Sequence, residues 1–174
     1  MLTDKYGRVY IEHGVVIVRA GTISDPAFVP TDGLVLTSAE DNLQLRAGVR
    51  GVWAAIRFVL HEERPLDPLT EDDDWTESGE AVVTFSTSPY LLVGPPRELN
   101  IDPMLQDLEI PPGTYGLIAR AKGIQESFHQ NGVSSTSIES APPPEALLQQ
   151  FRLDLWPTKY PHDLNYDPFS EPVR

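Results

Sequence analysis

Cysteine is absent from this 174-residue chain, which excludes disulfides, thiolate catalysis and sulfur-rich structural zinc. Positive charge is scarce. Thirteen lysines and arginines face 26 aspartates and glutamates, for a net charge of −13 and a pI near 4.5. Affinity for nucleic acid rests on cations that neutralise phosphates, so direct nucleic-acid binding is not expected. The mildly basic stretch of Arg46, Arg50 and Arg57 reads as a solvated strand face. Long apolar runs are also missing. The longest, residues 52–60, is nine residues and contains Arg57, about half of what a membrane-spanning helix needs. The N-terminus, Met1-Leu2-Thr3-Asp4-Lys5, shows no basic patch followed by an apolar run, so no secretory leader is read there. The expectation is a soluble, cytoplasmic protein that does not enter membranes.

Several catalytic and metal-binding signatures fail. No Gly-x-Ser-x-Gly elbow occurs around Ser24 or Ser134. The histidines, at 13, 61, 129 and 162, are isolated, with no His-x-His or His-x-x-x-His spacing to place two imidazoles on one metal. His61 follows a strong strand and precedes Glu62 and Glu63. It is a candidate base, although an exposed histidine at a strand end is the simpler reading. No cofactor or metal is expected, and the chain reads as non-enzymatic.

Seventeen prolines and twelve glycines cut the sequence into short apolar segments, few of them suited to helix. In 52–60, Val52, Ala54, Ile56, Phe58 and Leu60 alternate onto one face and leave Arg57 on the other. In 151–156, Phe151, Leu153 and Leu155 point inward, while Arg152, Asp154 and Trp156 point outward; Pro157 ends the ladder. Residues 81–85, 115–121 and 15–18 behave similarly, and 8–12, 34–37, 43–46 and 90–93 are shorter candidates. Eight or nine short strands predict an all-β fold, an antiparallel two-layer sandwich or jelly-roll-like barrel. One or two short helices are expected, at 102–108 and 145–150. Residues 1–156 are expected to form a single domain. A proline- and aromatic-rich tail, 157–174, reads as a strap along the body, and 123–145 as a mobile excursion between neighbouring strands.

The charge is concentrated. Nine carboxylates and one arginine between residues 62 and 80 hold −8 of the chain's −13. A calcium loop beginning at Asp72 fails, because Glu77 stands where the sharp-turn glycine belongs and no glutamate lies at its twelfth position. Within this expected loop, Trp75 sits among Glu71, Asp72, Asp73, Asp74 and Glu77. A tryptophan ringed by carboxylates suits a basic protein surface, with charge steering the encounter and the indole anchoring it. These six residues are the candidate partner-binding set. Trp53 and Trp156 sit opposite the apolar faces of their strands, and Trp156 is expected to be partly buried under the tail.

The motif Pro111-Pro112-Gly113-Thr114-Tyr115, followed by Phe151-Arg152-Leu153-Asp154-Leu155-Trp156-Pro157, resembles the ending of small, uncharacterised bacterial β-sandwich proteins. In that group a Pro-Pro-Gly-x-Tyr turn opens one strand and a Leu-x-Leu-Trp-Pro strand closes the fold. The resemblance implies a bacterial source and antiparallel pairing of 115–121 with 151–156, and it brings no catalytic residues.

The leading functional expectation is an immunity or inhibitor protein whose acidic surface blocks a basic partner, such as a nuclease toxin. One alternative is a carbohydrate- or small-ligand-binding sandwich, marked by Trp53 or Trp156 converging with Asp154, Arg120 or Arg57. Another is an accessory subunit of a larger bacterial assembly, docked through its tail.

Overall fold

The computed structural model describes residues 1–21, 33–48, 50–66, 74–128 and 138–158. Among these residues, nine strands stack in two sheets. β1 (Thr3–Ile11), β5 (Val52–Leu60), β9 (Gln150–Pro157), β8 (Gly113–Lys122) and β6 (Glu77–Phe85) form a five-stranded sheet in the order β1-β5-β9-β8-β6. β3 (Val35–Ala39), β4 (Asn42–Arg46), β2 (Val15–Arg19) and β7 (Tyr90–Leu91) form a four-stranded sheet in the order β3-β4-β2-β7. This is the all-β sandwich that the alternating pattern predicts. One pairing departs from a purely antiparallel scheme. β5 and β9 run parallel, Ile56 opposite Phe151 and Leu60 opposite Leu155, while every other pair is antiparallel.

The core lies between the sheets and follows from the period-two alternation of the strands. Ala54, Ile56, Phe58 and Leu60 from β5 meet Phe151, Leu153 and Leu155 from β9 and Leu117, Ala119 and Ala121 from β8; Val16, Val18, Leu43 and Leu45 close it from the smaller sheet. β5 is buried at every residue except Arg57, as a strand in a sheet covered on both faces should be. The pairing of β8 with β9 runs from Tyr115 opposite Pro157 to Ala121 opposite Phe151, as the motif resemblance implies. Within that motif the Tyr115 hydroxyl donates to the Pro111 carbonyl at 2.6 Å. The turn is thereby pinned to the strand it opens, and burial raises the pKa of the phenol.

Several boundaries differ from the expectations. β6 begins at Glu77 rather than at residue 81, and so takes the end of the expected acidic loop into the sheet. Helix forms at α1 (Arg97–Asn100) and α2 (Ile124–Ser127), with single 3-10 turns at Pro103–Leu105 and Pro144–Ala146. The expected helices at 102–108 and 145–150 thus shrink to one turn each, as the prolines at their starts and the lack of capping side chains would favour. Part of the 123–145 excursion is well packed: Ile138, Ala141 and Leu147 cover Trp53, Ala55 and Tyr10 on the outer side of the large sheet. Residues 129–137 and the tail 159–174 lie outside the described residues. Among the described residues no helix is long and apolar enough to cross a membrane.

Candidate ligand-binding face

The site is built by register. Strands of the large sheet send alternate residues outward, and one row across the outer face reads Tyr6, Arg57, Arg152, Arg120, Ser78 on β1, β5, β9, β8 and β6. Three arginines therefore stand directly opposite one another on neighbouring strands roughly 4.8 Å apart. Like charges so placed repel. The next row supplies the compensation, with Asp4, Val59, Asp154, Ile118 and Glu80 aligned in the same way.

Asp154 is fully buried at 0% side-chain exposure and is shared by three groups. Arg152 donates through Nε to Oδ2 at 2.9 Å and through Nη2 to Oδ1 at 3.0 Å. Arg120 donates through Nη1 to Oδ2 at 3.2 Å, and His61 Nε2 lies 2.8 Å from Oδ1. The histidine is thus not the exposed strand-end residue expected. The alternation of β5 continues one residue past Leu60 and turns the imidazole over the outer face, leaving its side chain 21% exposed. Arg57 takes Asp4 instead, Nε to Oδ1 at 2.8 Å and Nη2 to Oδ2 at 2.5 Å. This fork holds the Asp4 carboxyl below its usual pKa, against the opposing effect of burial.

The ends of the face have their own pairs. Arg8 forks onto Asp102, Nε to Oδ2 at 2.9 Å and Nη2 to Oδ1 at 2.8 Å. Burial would raise the Asp102 carboxyl, but the hydrogen bonds from Arg8 hold it low. Trp156 is buried over Gly116, with the Arg64 guanidinium 5.3 Å from its ring centroid. Among the described residues the outward-facing strand cations Arg8, Arg57, Arg120, Lys122 and Arg152 are paired with Asp102, Asp4, Asp154 and Asp74, Asp154 serving both Arg120 and Arg152. On an acidic protein, this face gathers an unusual share of the cations.

Of the six residues expected to bind a basic partner, Asp74, Trp75 and Glu77 are described, and Glu77 turns to a different side from the other two. Glu71, Asp72 and Asp73 lie outside the described residues. Asp74 pairs with Lys122 at 2.6 Å, which lowers the pKa of its carboxyl, yet the side chain stays 77% exposed. Trp75 is half-buried under the same lysine, whose Nζ is 5.4 Å from the ring centroid, and its Nε1 is buried without a hydrogen-bond partner among the described residues. Glu77 turns the other way and pairs with Arg46 of the smaller sheet. Strand parity explains the split: Glu77 is opposite Ala121, a core residue, whereas Ser78 is opposite Arg120.

Among the described residues no group of three or more histidines and carboxylates could hold a metal. A separate cleft of about 280 Å³ opens at the side of the sandwich between β1, β2 and the stretch after β7, lined mainly by apolar residues such as Val9, Val16 and Leu91.

No protein-family model matches this chain, and no curated protein matches it. Its fold is similar to that of a solved structure described as "Crocagin biosynthetic gene J". The two superpose with a TM-score of 0.54 at 14% identity, over 91% of this chain and 100% of the other. At that identity the likeness concerns the fold alone.

Proposed function

We propose that this protein is a binding protein whose working surface is the outer face of the five-stranded sheet, and that it takes a partner bearing negative charge. The observation that supports this best is the in-register row Arg57, Arg152 and Arg120, to which the neighbouring row gives Asp4 and Asp154, its third carboxylate, Glu80, being paired with Arg64. Three adjacent guanidinium groups work against the stability of the sheet, and local rules are most often broken where a surface has work to do. Trp156, Asp154, Arg120 and Arg57 all project from this face, which favours a ligand-binding role for it.

Poly-L-glutamate is a suitable first probe. Its binding, measured by calorimetry at low and high salt, should be salt-sensitive and at least tenfold weaker in the double variant Arg57→Gln/Arg152→Gln. Equal affinity in the two proteins would remove the face from consideration.

A second reading keeps the basic protein partner, most concretely a nuclease toxin. The strongly exposed Asp74 carboxylate and the charge of −8 between residues 62 and 80 favour it. Neutralising Glu71, Asp72, Asp73, Asp74 and Glu77 together should then abolish affinity for the basic protein. Unchanged affinity would eliminate this reading.

A further inference from the structure

Among the described residues four arginines project from strands onto the outer face of the large sheet, and three of them are matched in the same way. Arg8, Arg57 and Arg152 each present the Nε and Nη2 edge to one carboxylate, making the two parallel hydrogen bonds that suit a planar guanidinium. Arg120 is the exception. Its hydrogen bond goes through Nη1 alone, at 3.2 Å, to an aspartate that Arg152 and His61 already share. Among the described residues Arg120 has no carboxylate of its own. Its side chain is nevertheless only 4% exposed, and a guanidinium removed from water needs a counter-charge more than an exposed one does.

The surroundings of Arg120 fit an anion. Ser78 stands directly opposite it on β6, exposed and on the edge of the sheet, so a hydroxyl donor marks the side from which a ligand reaches the guanidinium. Lys122 lies two residues further along β8 on the same face, and its partner Asp74 is largely in solvent. Arg152 flanks the other side. The one acidic neighbour across the strand pair, Glu80, faces Ile118 and is 3.3 Å from Arg64.

We infer that Arg120 is the specific recognition group of this face, and that its Nε and Nη2 edge takes a carboxylate of the partner, with Ser78 and Lys122 beside it. The inference rests on the anionic-partner reading above and narrows it to one side chain and one ligand group. A carboxylate is the group that the three neighbouring arginines hold in this fork. Phosphate offers related oxygens, and the test separates the two.

The side-chain Nε–Hε resonance of Arg120 can be followed in the intact protein during titration with succinate, and separately with inorganic phosphate. Succinate should shift it saturably, at concentrations at least fivefold below those at which phosphate does. Arg120→Lys keeps the charge but loses the fork, and should weaken succinate binding at least tenfold. Arg50→Gln, in an exposed loop, should leave it unchanged. If the Arg120 resonance stays still while poly-L-glutamate binds the face with salt sensitivity, this inference fails and the broader reading stands. If neither probe binds, both fail. Stronger saturation by phosphate overturns the carboxylate assignment. Should Arg120→Lys fold poorly, the titration of the unmodified protein still decides.

Discussion

The indole of Trp156 lies so close over Gly116 that a methyl group on residue 116 would meet its Cε2 at 2.3 Å and its Cζ2 at 2.4 Å. The two residues are direct partners in the register of β8 and β9, so neither strand can slide to relieve the contact. Gly116→Ala is therefore expected to destabilise the protein by about 1–3 kcal/mol, as overpacking does. Urea denaturation of the variant, alone and combined with Trp156→Leu, checks it. The alanine should cost clearly less once the indole is gone, and an equal cost in both backgrounds would exonerate the indole.

Asp154 is the electrostatic keystone of the outer face. Replacing it with asparagine leaves Arg120 and Arg152 without their shared anion in a nearly dry position, and a cost of about 3–5 kcal/mol is expected. Asp4→Asn breaks a pair whose arginine is 45% exposed, so its cost should stay below about 1 kcal/mol. Thermal denaturation of the two variants side by side measures the contrast, and the prediction fails if they lose stability equally.

Acid should act partly through Arg8 and Asp102. The Asp102 carboxyl is lowered in the folded protein from its ordinary value of 3.8, so the folded state binds its proton less readily than the unfolded chain. The resulting stabilisation is complete above that ordinary value and disappears as pH falls through the lowered one. The stability gap between the wild-type protein and Asp102→Asn should accordingly be constant near neutrality and close progressively below about pH 4. A gap that widens in acid would reverse the sign of this assignment.

Arg8 also ties down residues 138–142, within the 123–145 stretch. Its Nη1 lies 3.3, 3.0 and 3.3 Å from the carbonyls of Ile138, Ala141 and Pro142. Arg8→Lys keeps a charge for Asp102 but cannot serve all these acceptors at once. Amide exchange at Ala146 and Leu147 should speed up, and the emission of Trp53, which Leu147 covers, should shift to longer wavelength. Unaltered exchange at both amides would mean that the segment is held by apolar packing alone.

Much of the sandwich was legible because its strands obey a strict period of two. The sequence pattern alone sets Phe151, Leu153 and Leu155 inward and Arg152, Asp154 and Trp156 outward, and the structure agrees. Alternation cannot say which strands become neighbours. The meeting of His61 with Asp154, 93 residues apart, depends on the parallel pairing of β5 with β9, and no local signal announces that. Asp154 was recognisable as an outward residue, but not as the shared partner of Arg120 and Arg152. The acidic segment was legible only in part, for a related reason. Its carboxylates read as one cluster along the chain, whereas β6 begins within it and strand parity sends Glu77 towards Arg46, away from the side where Lys122 meets Asp74. The prolines at 103 and 144 mark the two 3-10 turns without setting their length, whereas the α-helical turns at Arg97–Asn100 and Ile124–Ser127 were not legible.

β9 occupies the middle of the five-stranded sheet, between β5 and β8, although it is the last strand among the described residues. Without it, the β1–β5 pair and the β8–β6 pair would face each other across a gap one strand wide, with unsatisfied hydrogen-bonding edges on both sides. A chain cut before Gln150 is therefore a receptor for its own missing piece, and a synthetic peptide of the β9 sequence should slot in as a donor strand and restore cooperative melting. The same arrangement makes that gap the place where two chains could exchange strands, so crowding during refolding should yield swapped dimers joined through β9 before it yields shapeless aggregate.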